Sequence, residues 1–290
     1  MAKVRIITDS NSGIKQSEAQ ELGIFVIPMP FTIDGEEYLE DISISQERFY
    51  EFLAHDAEVM TSQPSRAYLE ELWQNELKEN DEIVYIPMSS GLSATCENAK
   101  LYAQDFGGNV QVVDNKRISV TQKESVFEAI ALAKDGKNAA EIKEYLEGTK
   151  DKSSIYIMVN ELKYLRRGGR ISRTAAAIGD MLKLKPVLTS RGDKFEKYAM
   201  AFTLEQAKSK MIQAAKKDLE TEFKDEYDLG LMTISVAHTN NEVLAQKFKL
   251  DIEKAIPNLK VHFVDPLSLS VSCHIGPGAL ALALSINNTK

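Results

Sequence analysis

Apolar positions change their period several times along this chain, and each change marks an element. Residues 4–8 (Val-Arg-Ile-Ile-Thr), 83–86 (Ile-Val-Tyr-Ile) and 110–113 (Val-Gln-Val-Val) are short apolar runs of strand length. Each runs into a corner of small polar residues: Asp9-Ser10-Asn11-Ser12-Gly13, Ser89-Ser90-Gly91-Leu92-Ser93 and Asp114-Asn115. Between the runs the period becomes helical. Ser45 opens an acidic helix through Leu53, and Pro64 opens one carrying Leu69, Leu72, Trp73 and Leu77. A further helix is predicted over 95–106, and two more fill the chain to about Gly148. Residues 24–33, broken by Pro28 and Pro30, read as extended, with Asp34-Gly35 as a hairpin turn. Strands alternating with helices imply βαβ units and a mostly parallel sheet, whose ligands settle where strands end and helices begin.

The charged stretch Glu147-Gly148-Thr149-Lys150-Asp151-Lys152 marks a boundary and predicts domains at 1–150 and 151–290. Beyond it the pattern predicts a strand over 155–159, a basic Gly-Gly loop and a helix over 174–182. Segments 186–188 and 197–202 flank Arg191-Gly192-Asp193-Lys194 as an antiparallel hairpin. A long amphipathic helix over 204–223, a strand over 229–237, a helix over 241–255 and a strand over 260–264 follow. The chain closes with a turn at His274 and an apolar helix over 279–286.

Length and composition narrow the class. At 290 residues, with 43% hydrophobic and 27% charged residues, the chain suits two soluble α/β domains. No stretch reaches 18 apolar residues, so stable membrane insertion is not expected. The opening residues read as a mature first strand without a signal-peptide run. Two lone cysteines, Cys96 and Cys273, fit a reducing cytoplasm. A net charge of -8 argues against nucleic acid as partner. Against that background Lys163, Arg166, Arg167, Arg170 and Arg173 form a local basic cluster. Such a cluster is either a solvated loop flank or a docking surface for an acidic partner or a phosphate.

Candidate chemistry concentrates in three turns: Thr61-Ser62-Gln63-Pro64-Ser65, Ser89 to Thr95, and His274-Ile275-Gly276-Pro277-Gly278. Neutral hydroxyls and helix-start amides can hold a carboxylate or phosphate oxygen without adding a buried charge. The same hydroxyls also suit helix capping, worth about 1 kcal/mol. Ser93, with Asp114 or Asp265 and His274, follows the order of an α/β-hydrolase triad, but Thr95 stands where the nucleophile elbow needs its second glycine. A serine esterase therefore remains an alternative. His55, His238 and His262 have no metal-ligand spacing, and no metal site is expected. Phosphate-loop and dinucleotide fingerprints are missing, so no nucleotide cofactor is expected and the chain is not a kinase by itself.

Several ordered motifs along the whole chain resemble the DegV family, bacterial fatty-acid-binding proteins that present acyl chains to a fatty acid kinase. They are Ile7-Thr8-Asp9-Ser10, Thr61 to Ser65, Ser89 to Ser93, Leu165-Arg166-Arg167-Gly168-Gly169-Arg170-Ile171-Ser172, Lys185-Pro186-Val187-Leu188, and His274 to Ala279. The resemblance implies an EDD-type fold of two α/β domains. The first sheet would be mostly parallel, the second mixed with a hairpin, and the ligand cleft would lie between them. It implies a long-chain fatty acid as ligand, no catalytic residue, and a carboxylate held by Thr61, Ser62 and Ser93 with His274 beside them. Ser90 and Gly91 belong to the same expected site. A palmitate-sized chain buries about 14 methylenes at roughly 0.8 kcal/mol each, on the order of 11 kcal/mol before ordering costs. The partner kinase would convert the carboxylate to an acyl-phosphate for phospholipid synthesis, docking on Arg166, Arg167, Arg170 and Arg173, with Arg170 foremost. A lipid sensor with another partner is a further alternative. Ala94, Cys96 and Asn115 depart from the family's usual Gly, Tyr and Ser, which bears on pocket shape.

Overall fold

The computed structural model describes residues 2–177 and 184–288. In chain order the first half contributes β1 (Val4–Asp9), α1 (Gln16–Leu22), β2 (Phe25–Ile27), β3 (Pro30–Ile33), β4 (Glu36–Leu39), α2 (Gln46–Ala54) and β5 (Val59–Thr61). It continues with α3 (Arg66–Glu76), β6 (Glu82–Ile86), α4 (Thr95–Ala103), β7 (Val110–Val112), α5 (Val120–Lys134) and α6 (Ala139–Gly148). Four of these strands form a sheet in the order β2-β1-β6-β7 with every pairing parallel, as the sequence pattern predicts. Their near-continuous apolar runs follow from burial on both faces. Ile6, Val84 and Ile86 pack with Val126 and Ile142 of α5 and α6, while Ile7, Ile83 and Tyr85 pack with Trp73 and Ala99 of α3 and α4. A small antiparallel sheet, β4-β3-β5, turns at Asp34-Gly35 and packs under α2.

The second half supplies β8 (Ser153–Met158), α7 (Lys163–Gly168), α8 (Arg173–Ala176), β9 (Lys185–Ser190), β10 (Glu196–Ala201), α9 (Leu204–Glu220) and α10 (Lys224–Asp228). Then come β11 (Met232–His238), α11 (Glu242–Ala255), β12 (Val261–Pro266), α12 (Leu269–Ile275) and β13 (Leu280–Ile286). The sheet order is β10-β9-β8-β13-β11-β12; β11 and β12 are parallel and the other pairs antiparallel, with β9 and β10 forming the expected hairpin. Of the helix predicted over 174–182, residues 174–176 fall in α8, and 178–182 lie outside the described residues.

Two expectations are overturned at the end of the chain. Segment 280–286 is a central strand and not a helix. Ala and Leu favour helices, but here they alternate, and the period decides. Leu280, Leu282, Leu284 and Ile286 pack on one face with Met211 and Phe248, whereas Ala279, Ala281 and Ala283 pack on the other with Ile157 and Leu188. The second change is at 269–275, where a helix capped by the Ser268 hydroxyl replaces the expected turn and places His274 in its last turn.

The two halves meet through α5 and the turns around it. Glu124 is almost fully buried and bonds His262 Nδ1 at 2.7 Å and accepts from Asn287 Nδ2 at 2.8 Å. Lys123 reaches Asp265 at 3.0 Å. Leu269 and Cys273 of α12 and Tyr164 of α7 join Phe31, Phe49 and Val59 in one apolar cluster, which fixes α12 against the small sheet.

Candidate functional site

A cavity of about 340 Å³ opens where these elements converge, within the usual size of a small-ligand site. One part of its wall is polar: Thr61, Ser62, Gln63, Ser93, Arg170 and His274. Most of the remainder is apolar, including Met88, Leu92, Ile118, Leu165, Phe195 and Ile275. Five of these, all but Met88, belong to the core cluster between the halves, and Met88 packs against that cluster.

Thr61 ends β5, where it pairs with Phe31, and its Oγ1 lies 2.9 Å from His274 Nε2. That contact joins positions 213 residues apart. Ser65, and not Thr61 or Ser62, caps α3 by accepting from the Tyr68 amide. The capping role is thereby filled, and Thr61 and Ser62 remain on the cavity wall. Ser93 accepts from the Thr95 amide at 3.2 Å and shares a 2.9 Å hydrogen bond with the Thr95 hydroxyl.

His274 sits against Gly168, where a Cβ would stand 2.0 Å from Nδ1. The glycine that ends α7 is therefore the seat of the imidazole, since any larger residue would displace it. Burial, and secondarily the charge of Arg170, pushes the His274 pKa down to about 4. The ring is neutral at physiological pH.

The basic cluster divides in a way the sequence does not reveal. Arg170, expected on a docking surface, instead lines the cavity; its Nε–H donates to the Leu92 carbonyl at 3.2 Å and Nη1 donates to Gly168. Its half-burial lowers its pKa from the usual value. Arg166 donates through Nε to the Ala176 carbonyl, whereas Arg167 and Arg173 are exposed.

Ser90 and Gly91, expected at the ligand, are not on the wall. The Ser90 amide donates to Asp114 at 3.3 Å, and a Cβ on Gly91 would come within 2.4 Å of the Gly192 carbonyl. Ser89 donates its hydroxyl to that same carbonyl. Half of the second turn thus locks the first half of the chain onto the β9–β10 turn.

The hydrolase wiring does not form. His274 bonds Thr61 and has no carboxylate partner among the described residues. Asp265 is engaged by Lys123, and Asp114 by Ser90 and Lys100. Cys96, Glu97 and Asp114 come within metal-ligand reach of one another. Lys100 already occupies both carboxylates, however, and burial pushes the Cys96 thiol up to about 12, so the set presents a protonated thiol and a cation. Of the three departures noted in the sequence, only Ala94 lines the cavity. Cys96 contacts the Val113 carbonyl, and Asn115 donates to Ser125.

Sequence reasoning missed Arg170 as a wall residue, and also Glu40. Glu40 is buried and accepts from the Ser10 hydroxyl at 2.8 Å and from the Leu269 amide, so it holds the start of α12. Burial raises it to about 7, and raises Asp9, which accepts from the Met88 amide and Gln122, to about 6. Asp9 stands in a motif that the sequence flagged; Glu40 sits in an acidic stretch with no signal of burial. Among the described residues no helix is long and apolar enough to cross a membrane.

Comparison with known proteins gives the same fold. A model of the DegV family, described as an uncharacterised protein, matches residues 3–287. A DegV domain-containing protein of Staphylococcus aureus (strain N315) is 31% identical over 286 residues, covering 98% of this chain and 99% of its own. A DegV family protein from Thermus thermophilus, described by its fatty acid binding, superposes with a TM-score of 0.86 at 26% identity, covering 98% and 99% of the two chains. DegV of Bacillus subtilis, described as a fatty acid binding protein, superposes at 0.84 with 27% identity over 99% and 100%. The agreement extends over the parallel first sheet, the mixed second sheet and nearly every residue, so the chain belongs to the DegV family.

Proposed function

We propose that this chain binds a long-chain fatty acid in the cavity and presents its carboxylate to a partner fatty acid kinase in the cytoplasm. The observation that carries the reading is the Thr61–His274 contact at the boundary between a hydroxyl-lined corner and an apolar wall. With the imidazole proton on Nε2, the Thr61 oxygen accepts it and the Thr61 hydroxyl proton remains available for an anion. Ser93, and Ser62 whose hydroxyl otherwise reaches the Pro30 carbonyl at 3.5 Å, add two hydroxyls. The carboxylate is then met by several hydrogen bonds, which a buried charge requires. The acyl chain runs along Leu92, Ile118, Leu165 and Phe195, and its buried methylenes dominate affinity while the polar corner sets orientation.

Arg170 gives the reading a second part. Its guanidinium is close enough to His274 to lower the imidazole pKa. A cation beside the carboxylate would also stabilise the charge that gathers as phosphate is transferred to it. Exposed Arg167 and Arg173 flank this position in sequence and suit the kinase's docking surface, with the partly covered Arg166 beside Arg167. The bound acid would leave as an acyl-phosphate for phospholipid synthesis, its mixed anhydride shielded from water until release.

Mass spectrometry of lipid extracted from the purified protein tests the ligand. Incubation with palmitate, ATP and a fatty acid kinase, followed by hydroxylamine trapping, tests the product. Long-chain acid in the extract and acyl-hydroxamate in the trap are the expected results. An extract free of acids, together with no affinity for added palmitate, overturns the reading.

A further inference from the structure

One polar feature of the cavity is left unused by the headgroup. Asn11, just after β1, is 1% exposed and lines the cavity. Its Oδ1 accepts from the hydroxyls of Ser268 and Ser270, but its Nδ2 is buried without any hydrogen-bond partner. Ser270, 4% exposed, lines the cavity too. Beside them the wall is apolar, with Met29 and Val271. Ser270 precedes His274 by one helical turn on the same face of α12, about 6 Å along its axis. A polar pair therefore lies a short way down the wall from the headgroup contacts.

A plain alkyl chain passing this pair leaves the amide unsatisfied, a penalty that an oxygen on the ligand would remove. The amide and serine also decide which oxygen fits. A hydroxyl accepts from Nδ2 and donates to the Ser270 oxygen; were the amide reversed, the hydroxyl would donate to Oδ1 instead. A keto oxygen only accepts, and satisfies one arrangement alone. We propose that Asn11 and Ser270 form a hydroxyl subsite in the cavity wall, and that the preferred ligands are fatty acids hydroxylated in the carboxyl-proximal part of the chain. This rests on the fatty-acid reading above.

Displacement of a fluorescent fatty acid by palmitate and by its monohydroxy positional isomers tests the subsite. The wild-type protein should favour one carboxyl-proximal isomer over palmitate by about tenfold, and Ser270→Ala and Asn11→Leu should each reduce that ratio to unity or below while palmitate still binds. If Asn11→Leu fails to fold, Ser270→Ala alone carries the comparison, because it removes only a hydroxyl. Palmitate binding with every hydroxy isomer weaker, and a ratio unchanged in Ser270→Ala, overturns the subsite and leaves the fatty-acid reading standing. If the wild-type protein binds neither palmitate nor its isomers, both fall.

Discussion

The turns after β5 and β6 share a composition and differ in their work. Both offer hydroxyls at the start of a helix. In the Ser89–Thr95 turn, Ser89, Ser90 and Gly91 are fixed to the Gly192 carbonyl, to Asp114 and to the β9–β10 turn, so only its later residues reach the cavity. In the Thr61–Ser65 turn, Ser65 takes the cap, and Thr61 meets a neutral imidazole at the cavity wall. A hydroxyl given to a backbone carbonyl holds structure together. One shared with an uncharged imidazole keeps a proton it can redirect to a ligand.

That division can be broken from its structural side first. Gly91→Ala drives a Cβ into the Gly192 carbonyl, a backbone overlap that no rotamer relieves. It should lower stability by about 4 kcal/mol, read as a shift in the urea midpoint. A variant as stable as the parent would mean that the lock is loose.

The His274 side of the contact rests on a titratable support. Glu40 holds the start of α12, and its pKa is raised from 4.5 to about 7 by burial. A raised carboxyl contributes stability below about pH 4.5 and loses it as pH rises through about 7. Glu40→Gln does not titrate, so its melting temperature relative to the parent should climb between those values. The swing is about 3 kcal/mol. A difference constant with pH would remove Glu40 from that role.

On the chemical side, Arg170→Gln should slow acyl-phosphate formation by about a hundredfold, while palmitate affinity falls less than tenfold. Equal losses in both would assign the guanidinium to ground-state binding of the acid. Thr61→Ala combined with Ser93→Ala should weaken palmitate by about 2 kcal/mol and leave hexadecanol nearly unaffected. Ser90→Ala, on the locking side, should change the acid-to-alcohol preference by less than about threefold. A large effect from Ser90 would erase the contrast between the two turns.

The contrast itself is not legible in the sequence, which puts Ser90 and Gly91 at the ligand with Thr61 and Ser93; other parts of the molecule are legible, and the gaps have specific causes. The parallel strands were legible because both faces are buried and their runs are continuous. Thr61, Ser62, Ser93 and His274 were legible as neutral donors at corners, and the structure brings all four to one cavity wall. Strand β13 reads ambiguously because Ala and Leu favour helices while their alternation specifies a strand. The place of Arg170 on the cavity wall is not legible because linear charge clustering says nothing about which cation turns inward. Its inward course depends on the carbonyls of Leu92 and Gly168, and Leu92 lies 78 residues away. Glu40 gave no signal because its burial is created by α12, more than two hundred residues later in the chain.

The placement of β13 also sets an order of events during synthesis. It pairs with β8 and β11, both of which precede it. Until residues 280–286 have left the ribosome, the β8–β9–β10 meander and the β11–β12 pair have no strand to join them. Closing such long-range pairings is a slow step. Helix α12 lies just upstream and packs against the same late-forming core. A nascent chain with a complete parallel sheet still lacks the α12 wall of the cavity, and with it the His274 partner of Thr61.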